Sequence, residues 1–403
     1  MPTRTTFGTR EAFGRRAPAA DVARPAHAEQ HVAVAAPVAA KTGAWPFFTF
    51  GLAAFLFAIF VVELRLRIDP LPNFGVSLRD CVALGGVGPY FVFHEHEWWR
   101  IFTAPFLHGG LSHLLGNTVA LIFAGVSLER MLGRAWLAAL FMLGAVGGSI
   151  GSLVYSTAIV GVGASGALMC LVTVLFALSH HFAAGEKATK LRMRALFVVV
   201  SAFLPSAAPG APQIDYGAHF GGFAVGIVSG FILLILWPDD RPQPPLRGAA
   251  LGIALFCIFV TCFAAFEVST RYPVYLAKSA ALIPSALEAT DPAGLAKRSG
   301  ELVERYPHDP LARLLHGTTL FDERDYGAAE QEARAGLAEN ENLDLQYSPV
   351  ARERLDLLLA ISLWAEGKHD EAKAGVLRFC ASTSSDEFIS SGRGLLHQNG
   401  LCN

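Results

Sequence analysis

Seven stretches of the chain are almost wholly apolar: Trp45–Val62, Leu111–Leu128, Ala135–Val154, Ala164–Leu178, Ala195–Ser206, Tyr216–Trp237 and Gly248–Phe266. None has Lys, Arg, Asp or Glu in its interior. A bilayer core takes about 20 mostly apolar residues per helix, so each run reads as a membrane-spanning helix. The fifth is short unless it extends through the Pro-containing run that follows. One such run could be a buried core helix; seven in succession predict an all-α, polytopic membrane helix bundle over residues 45–268.

Past about residue 280 the pattern changes, and charged residues recur with helical periodicity. Leu311–Ala338 and Leu357–Leu377 each read as an apolar helix, a short polar turn and an Ala-rich helix. The turns are Arg324-Asp325-Tyr326 and Gly367-Lys368-His369, with Ala329 and Ala372 where paired helices approach closely. Residues 269–403 are therefore expected to form a soluble α-helical hairpin domain. Its units look like tetratricopeptide repeats, but they stand 43 residues apart against about 34 for that repeat. An insertion near Asn340–Ser348 would account for the difference, and an ordinary helical hairpin domain is the other reading. Residues 1–44 lack an apolar run; they read as a disordered cytoplasmic tail, with a transit peptide as the alternative.

Composition agrees. Apolar residues make up 53% and charged residues 16%, against about 25% charged in an average soluble protein. The net charge of −2 gives no electrostatic footprint for nucleic acid. The six Cys show no C-x-x-C spacing, which argues against a zinc ribbon or a thioredoxin-type site. Lys and Arg are biased to alternate connections: Arg4, Arg10, Arg15, Arg16, Arg24 and Lys41, then Arg130 and Arg134, Lys187, Lys190, Arg192 and Arg194, and Arg241 and Arg247. The opposite connections carry Arg65, Arg67, Arg79 and Arg100, and none in 155–163 or 207–215. The positive-inside rule then predicts a cytoplasmic N-terminus. Seven spans place the C-terminal domain on the outer side, and the Ala/Arg-rich composition suggests a bacterial inner membrane. Cys380 and Cys402 fall in that outer domain, where a disulfide or two unpaired thiols are both open.

A polar residue inside a span is costly and marks a functional candidate. The second span holds Ser112, His113 and Asn117; the fourth opens on Gly163-Ala164-Ser165-Gly166; the sixth has Asp215 at its edge and His219 one turn in. With this topology all lie near the outer ends of their helices, in one shallow layer. A hydroxyl nucleophile needs a base, and neutral imidazole serves near pH 7; Ser165 and His219 supply both. The oxyanion formed on attack needs prearranged donors. His113 and Asn117, four apart, share a helix face, and the Ser165 N–H opens a helix with the dipole behind it. Gly222 and Gly226 form a small-xxx-small face that allows close helix packing. Ser112 reads as bonded to its own backbone.

With these residues in place, the sequence resembles the rhomboid family of intramembrane serine proteases. The resemblance rests on Trp99-Arg100, His113-x-x-x-Asn117, Glu129-x-x-Leu132-Gly133, Gly163-Ala164-Ser165-Gly166 and Ala218-His219-x-x-Gly222-x-x-x-Gly226. It covers about residues 45–240, and the seventh span matches the family's six-plus-one form. It implies a Ser165–His219 dyad without an acid, and an oxyanion hole from His113, Asn117 and the Ser165 N–H. It also implies no cofactor or metal, and substrates that are single-pass membrane proteins cut in or beside their transmembrane segment. Ile68–His108 would form a partly embedded first loop, and Pro205–Gln213 would cap the cavity. The expected partners are those substrates, the lipid bilayer and a protein bound by the C-terminal helices.

Two residues depart from the pattern: Met169 stands where an aromatic residue often stacks on the histidine, and Cys170 where Gly is common. Met can still pack against imidazole. Among other readings, His94-Glu95-His96-Glu97 falls short of HExxH because Trp98 occupies the second His position. An aspartyl protease would need two Asp inside spans. A transporter would show broken helices near the midplane. The remaining alternative is a non-catalytic rhomboid-like protein that binds membrane clients while its helical tail recruits partners.

Overall fold

The computed structural model describes residues 45–71, 74–155, 160–180, 185–204, 214–237, 244–347, 349–381 and 386–402. The expected tail at 1–44 and the expected cap at Pro205–Gln213 lie outside them. The described chain is helical throughout, with isolated bridges only at Gly75–Gly110 and Val87–Gly161.

Helix α1 spans Phe47–Arg65. A connecting segment follows, with three short helices: α2 (Leu78–Ala83), α3 (Pro89–Phe93) and α4 (Arg100–Thr103). Then come α5 (Leu111–Leu132), α6 (Arg134–Tyr155), α7 (Ser165–Leu178), α8 (Glu186–Ser201), α9 (Tyr216–Leu236) and α10 (Arg247–Ala280). Five of these, α1, α5, α6, α9 and α10, are long and apolar enough to cross a membrane, so the protein is a multi-pass membrane protein. Helix α7, with 14 residues, rises about 21 Å at 1.5 Å per residue and falls short of a full crossing.

Three boundaries differ from the hydropathy reading. Helix α1 continues past Val62, so Glu63 lies in its last turn, 2% exposed, where Oε2 accepts the His108 N–H at 3.1 Å. Helix α8 starts nine residues before the apolar run, because Lys, Leu, Arg, Met and Ala are all good helix formers. Helix α10 continues fourteen residues past Phe266, through Pro273, so the expected domain boundary at 268 falls inside one helix.

The bundle centres on α6, α7 and α9, which cross at glycines. A Cβ on Gly148 would lie 2.8 Å from Gly166 Cα, and one on Gly222 would collide with Gly166 O. Small residues let backbones meet where lipid supplies no hydrophobic driving force. Around this contact Leu114, Leu121 and Leu128 of α5 pack with Leu137, Leu140 and Phe141 of α6 and Leu168, Leu171 and Leu175 of α7. Trp136 Nε1 donates to Pro245 O at 2.9 Å, fastening the start of α6 to the approach to α10.

The connecting segment is organised by Arg100, which is fully buried. Its guanidinium donates to Glu97 Oε2 at 2.6 Å, Val82 O at 2.7 Å and Gly86 O at 2.9 Å, with the Phe91 ring 4.3 Å away. A delocalised, weakly hydrated guanidinium suits this enclosed, partly aromatic site.

After α10 come α11 (Ser285–Thr290), α12 (Pro292–Lys297), α13 (Ser299–Arg305), α14 (Pro310–Asp322), α15 (Tyr326–Ala338), α16 (Asn340–Gln346), α17 (Pro349–Ala365), α18 (His369–Cys380) and α19 (Glu387–Gln398). The expected turns are present, with Arg324 at φ 68° and Gly367 at φ 84°. Asp309, Asp325 and Asp386 cap α14, α15 and α19 by accepting first-turn N–H groups. Helix α16 occupies the place where the 43-residue spacing calls for an insertion. Cys380 and Cys402 are joined by a disulfide, Cα atoms 5.3 Å apart, tying the end of α18 to the chain beyond α19.

Candidate active site

His113 and Asn117 stand one turn apart at the start of α5. Across them runs the segment leading into α7. Gly163 has φ 122°, a conformation that disfavours side chains. Space forbids one as well: a Cβ there would lie 2.6 Å from His113 Cε1, 2.8 Å from His113 Nε2 and 3.5 Å from Asn117 Nδ2. Asn117 is 7% exposed, and its Nδ2 has no hydrogen-bond partner among the described residues. A buried amide donor beside the Gly163–Ser165 backbone is an electrostatic resource for any negative charge that develops there.

The segment is held from behind. The Gly163 N–H donates to Ala104 O at 2.9 Å, and Gly161 and Val87 exchange both backbone hydrogen bonds, at 2.7 and 3.0 Å. Ser165 opens α7, where first-turn N–H groups have no intrahelical acceptor.

His219 lies in the first turns of α9, which Asp215 caps by accepting the Ala218 N–H at 2.9 Å. Asp215 also accepts from Ser152 Oγ at 2.5 Å, anchoring the start of α9 to α6. The His219 Nδ1 lies 2.8 Å from Ala202 O. A carbonyl only accepts, so in this bond Nδ1 carries the hydrogen, and in the neutral ring Nε2 keeps its lone pair.

The crossing of α7 and α9 brings Ser165 and His219 to neighbouring positions: a Cβ on Gly166, next to Ser165, would lie 3.1 Å from the carbonyl of Ala218, next to His219. Among the described residues no hydrogen bond joins Ser165 Oγ to the His219 ring. Catalytic hydrogen bonds are often long before substrate binds. Behind the segment a cavity of about 20 Å³ is lined by Ser149, Ser152, Gly161, Gly163 and Asp215 among others, enough for one water.

The aromatic neighbour of His219 does not come from position 169. Met169 is buried, and Phe203, beyond α8, sits edge-on to the imidazole at 6.2 Å. His108 was missed from the sequence. It is fully buried, packs edge-on against His113 at 5.3 Å, and neither ring nitrogen meets a hydrogen-bond partner among the described residues. A buried imidazole is costly, but His108 lies in a connection between spans, where the sequence carries no sign of burial. The His94–Glu97 stretch is structural: the His94 ring stacks on Tyr90 at 5.3 Å and Glu97 binds Arg100. Among the described residues no three His, Cys, Asp or Glu are grouped to hold a metal.

Residues 95–236 match the model of the Rhomboid domain. The chain is 35% identical to RHOMBOID-like protein 1 of Arabidopsis thaliana over 183 residues, 44% of this chain and 45% of that protein. It is 31% identical to the mitochondrial RHOMBOID-like protein 6 of the same plant over 209 residues, 50% of this chain and 67% of that protein. It is also 31% identical, over 176 residues, to the protein named Inactive RHOMBOID-like protein 8, covering 43% of this chain and 49% of that protein. The chain spans about half the length of the first curated relatives it matches. The shared span contains the α5, α7 and α9 positions described above, and with that coverage the chain belongs to the rhomboid family.

Proposed function

We propose that the protein is an intramembrane serine endopeptidase that cuts single-pass membrane proteins in or near their transmembrane segment. Ser165 is the nucleophile and His219 the general base. The His219 Nε2 takes the Ser165 Oγ proton as Oγ attacks the scissile carbonyl, and the ring returns that proton to the departing amine as the C–N bond breaks; a water deprotonated by the same nitrogen then attacks the acyl ester, and the proton returns to Oγ as the acid leaves. His113, Asn117 and the Ser165 N–H stabilise the oxyanion formed between these steps. The observation that carries this reading is the fit of Gly163 against His113 and Asn117, which sets a nucleophile-bearing backbone against two side-chain donors. The Nδ1–Ala202 contact supports it by leaving Nε2 as the basic nitrogen.

The Lys/Arg bias supports a cytoplasmic N-terminus and an extracytoplasmic C-terminal domain, and the Cys380–Cys402 disulfide suits an oxidising compartment there. The Ala/Arg-rich composition is the ground for a bacterial inner membrane. The paired helices α14–α15 and α17–α18 support a tetratricopeptide-like domain that binds a protein partner.

The test is cleavage of a model single-pass substrate in detergent or nanodiscs, with Ser165→Ala beside the wild type. Cleavage by the wild type that Ser165→Ala abolishes is expected; cleavage that persists overturns the mechanism. The second reading, a non-catalytic client-binding protein, is favoured by the unformed Ser165–His219 hydrogen bond and by the relative named inactive. Substrate bound by both proteins and cut by neither would establish it.

A further inference from the structure

A buried ionic knot joins the segment between α1 and α5 to the helical domain after α10. Arg79, on α2, is 2% exposed. Its Nη1 donates to Ile283 O at 2.6 Å, its Nη2 donates to Tyr347 Oη at 2.8 Å, and Nη1 lies 3.3 Å from Asp69 Oδ2. Asp69 accepts the Ser285 N–H at 2.9 Å and also the Ser285 hydroxyl. Tyr347 Oη donates to Asp309, which accepts the Ile283 N–H at 2.6 Å while capping α14. Of the residues bonded to Arg79, Ile283 and Tyr347 belong to the C-terminal domain. A buried charge cluster is a costly way to hold two surfaces together, since apolar packing of the same volume often serves as well. In some proteins such a cluster adds a single register, and that is the role considered for this one.

That register leads to the candidate active site. From Arg79 helix α2 runs to Val82, and Arg100 grips Val82 O and Gly86 O while Thr103 Oγ1 donates to Gly85 O at 2.6 Å. A Cβ on Gly86 would collide with Val160, so the two segments are in contact. The next residue, Val87, is paired through both backbone bonds with Gly161, two residues before Gly163 and four before Ser165. Helix α10 braces the same segment: Tyr275 Oη donates to Glu97 Oε2 at 3.1 Å beside the Arg100 guanidinium.

We propose that the Asp69–Arg79–Tyr347–Asp309 knot is a positioning site, through which the docked C-terminal domain sets the register of the Gly161–Ser165 backbone. Arg79 and Tyr347 act through the Val87–Gly161 pair and touch no substrate. The proposal rests on the protease reading only for its effect on rate; the mechanical coupling stands apart from it.

The test uses the full chain in nanodiscs. Tyr347→Phe removes the hydroxyl between Arg79 and Asp309 and keeps the ring; Ser285→Ala removes one bond to Asp69 and serves if the first variant does not fold. Backbone amide exchange is followed by mass spectrometry. The expected result is roughly tenfold faster exchange at Ile283 and Ser285 and also at Val87 and Gly161, with the centres of α6 and α9 unchanged. Faster exchange confined to the C-terminal domain would overturn the coupling. Where the wild type cleaves substrate, kcat is expected to fall about tenfold with KM unchanged, and Arg79→Lys, which keeps the charge but not the forked geometry, to fall between. Unaltered kcat despite accelerated exchange at Val87 would overturn the positioning role. A wild type that neither cleaves nor reacts with a serine-directed probe would refute the protease reading alone, because the exchange experiment still decides the coupling.

Discussion

The carboxylate of Glu129 caps the helix that begins at Phe47, accepting the Thr49 N–H at 2.8 Å, the Thr49 hydroxyl at 2.8 Å and the Phe48 N–H at 3.0 Å. Helix α1 has no capping side chain of its own, so the end of α5 supplies one from 80 residues away. Gly133, at φ 82°, closes α5 just after Glu129. Glu129→Ala is expected to destabilise the bundle by about 2 kcal/mol, the cost of stranding buried donors. Thermal unfolding in detergent measures it. Thr49→Val should cost less, since both backbone donors keep their acceptor.

The α7–α9 crossing leaves no room for a side chain at Gly222, where an added Cβ meets backbone rather than a movable side-chain end. Gly222→Ala is expected to push the helices apart, cost about 1–3 kcal/mol and abolish Ser165 labelling by a serine-directed probe. Gly185→Ala, where an added Cβ meets none of the described residues within 4 Å, serves as the control. A Gly222→Ala protein with unchanged stability and labelling would refute the backbone contact.

The C-terminal domain carries carboxylates whose charge is held by neighbours. Arg354 binds Asp386 at 2.7 Å and keeps its carboxyl below the ordinary range. Because the folded state binds that proton less readily than the unfolded chain, the contribution is full above the ordinary Asp pKa and is lost as pH falls through the lower, folded value. Arg354→Met should therefore reduce stability by at most about 1 kcal/mol near neutrality. The difference from wild type should shrink below about pH 4. Burial raises Asp309 and Glu288, which has the opposite sign, and the Arg354 charge also pulls Glu288 down, so the difference between the two proteins across pH reports Asp386 and Glu288 together. A difference independent of pH down to the acid limit would refute the assignment.

Reduction or Cys402→Ser opens the bridge across 22 residues. It should lower the stability of the C-terminal domain by about 3 kcal/mol on the loop-entropy scale. Amide exchange in α18 and α19 with and without reductant checks this, and exchange unchanged by reductant would show that the bridge carries no stability.

Much of the site was legible because its parts are local. His113 and Asn117 share a face by helix geometry alone, and a Gly-Ala-Ser-Gly opening on an apolar run needs no partner to be noticed. His108 and Asp215 were undervalued because the cost of burial is visible only once burial is known. The edge-on contact on His219 arrives from Phe203, sixteen residues away and outside the helix, a partner that helix periodicity could not indicate. Arg79 counted as one positive charge in a loop; its acceptors lie 204 and 268 residues away.

Hydropathy and helix periodicity, properties of each segment by itself, determined where apolar helices lie, the change of character after residue 280 and the residue types able to do chemistry, while five of the seven expected spans are long and apolar enough to cross a membrane. Tertiary structure alone decided that Glu129 caps a distant helix, that α10 runs on into the next domain and that Arg79 bonds Ile283 and Tyr347 of that domain. The physical reason is that a buried hydrogen bond or ion pair is specified by two partners at once. A linear sequence shows each partner's need for the other, but not which of many candidates folding brings within 3 Å.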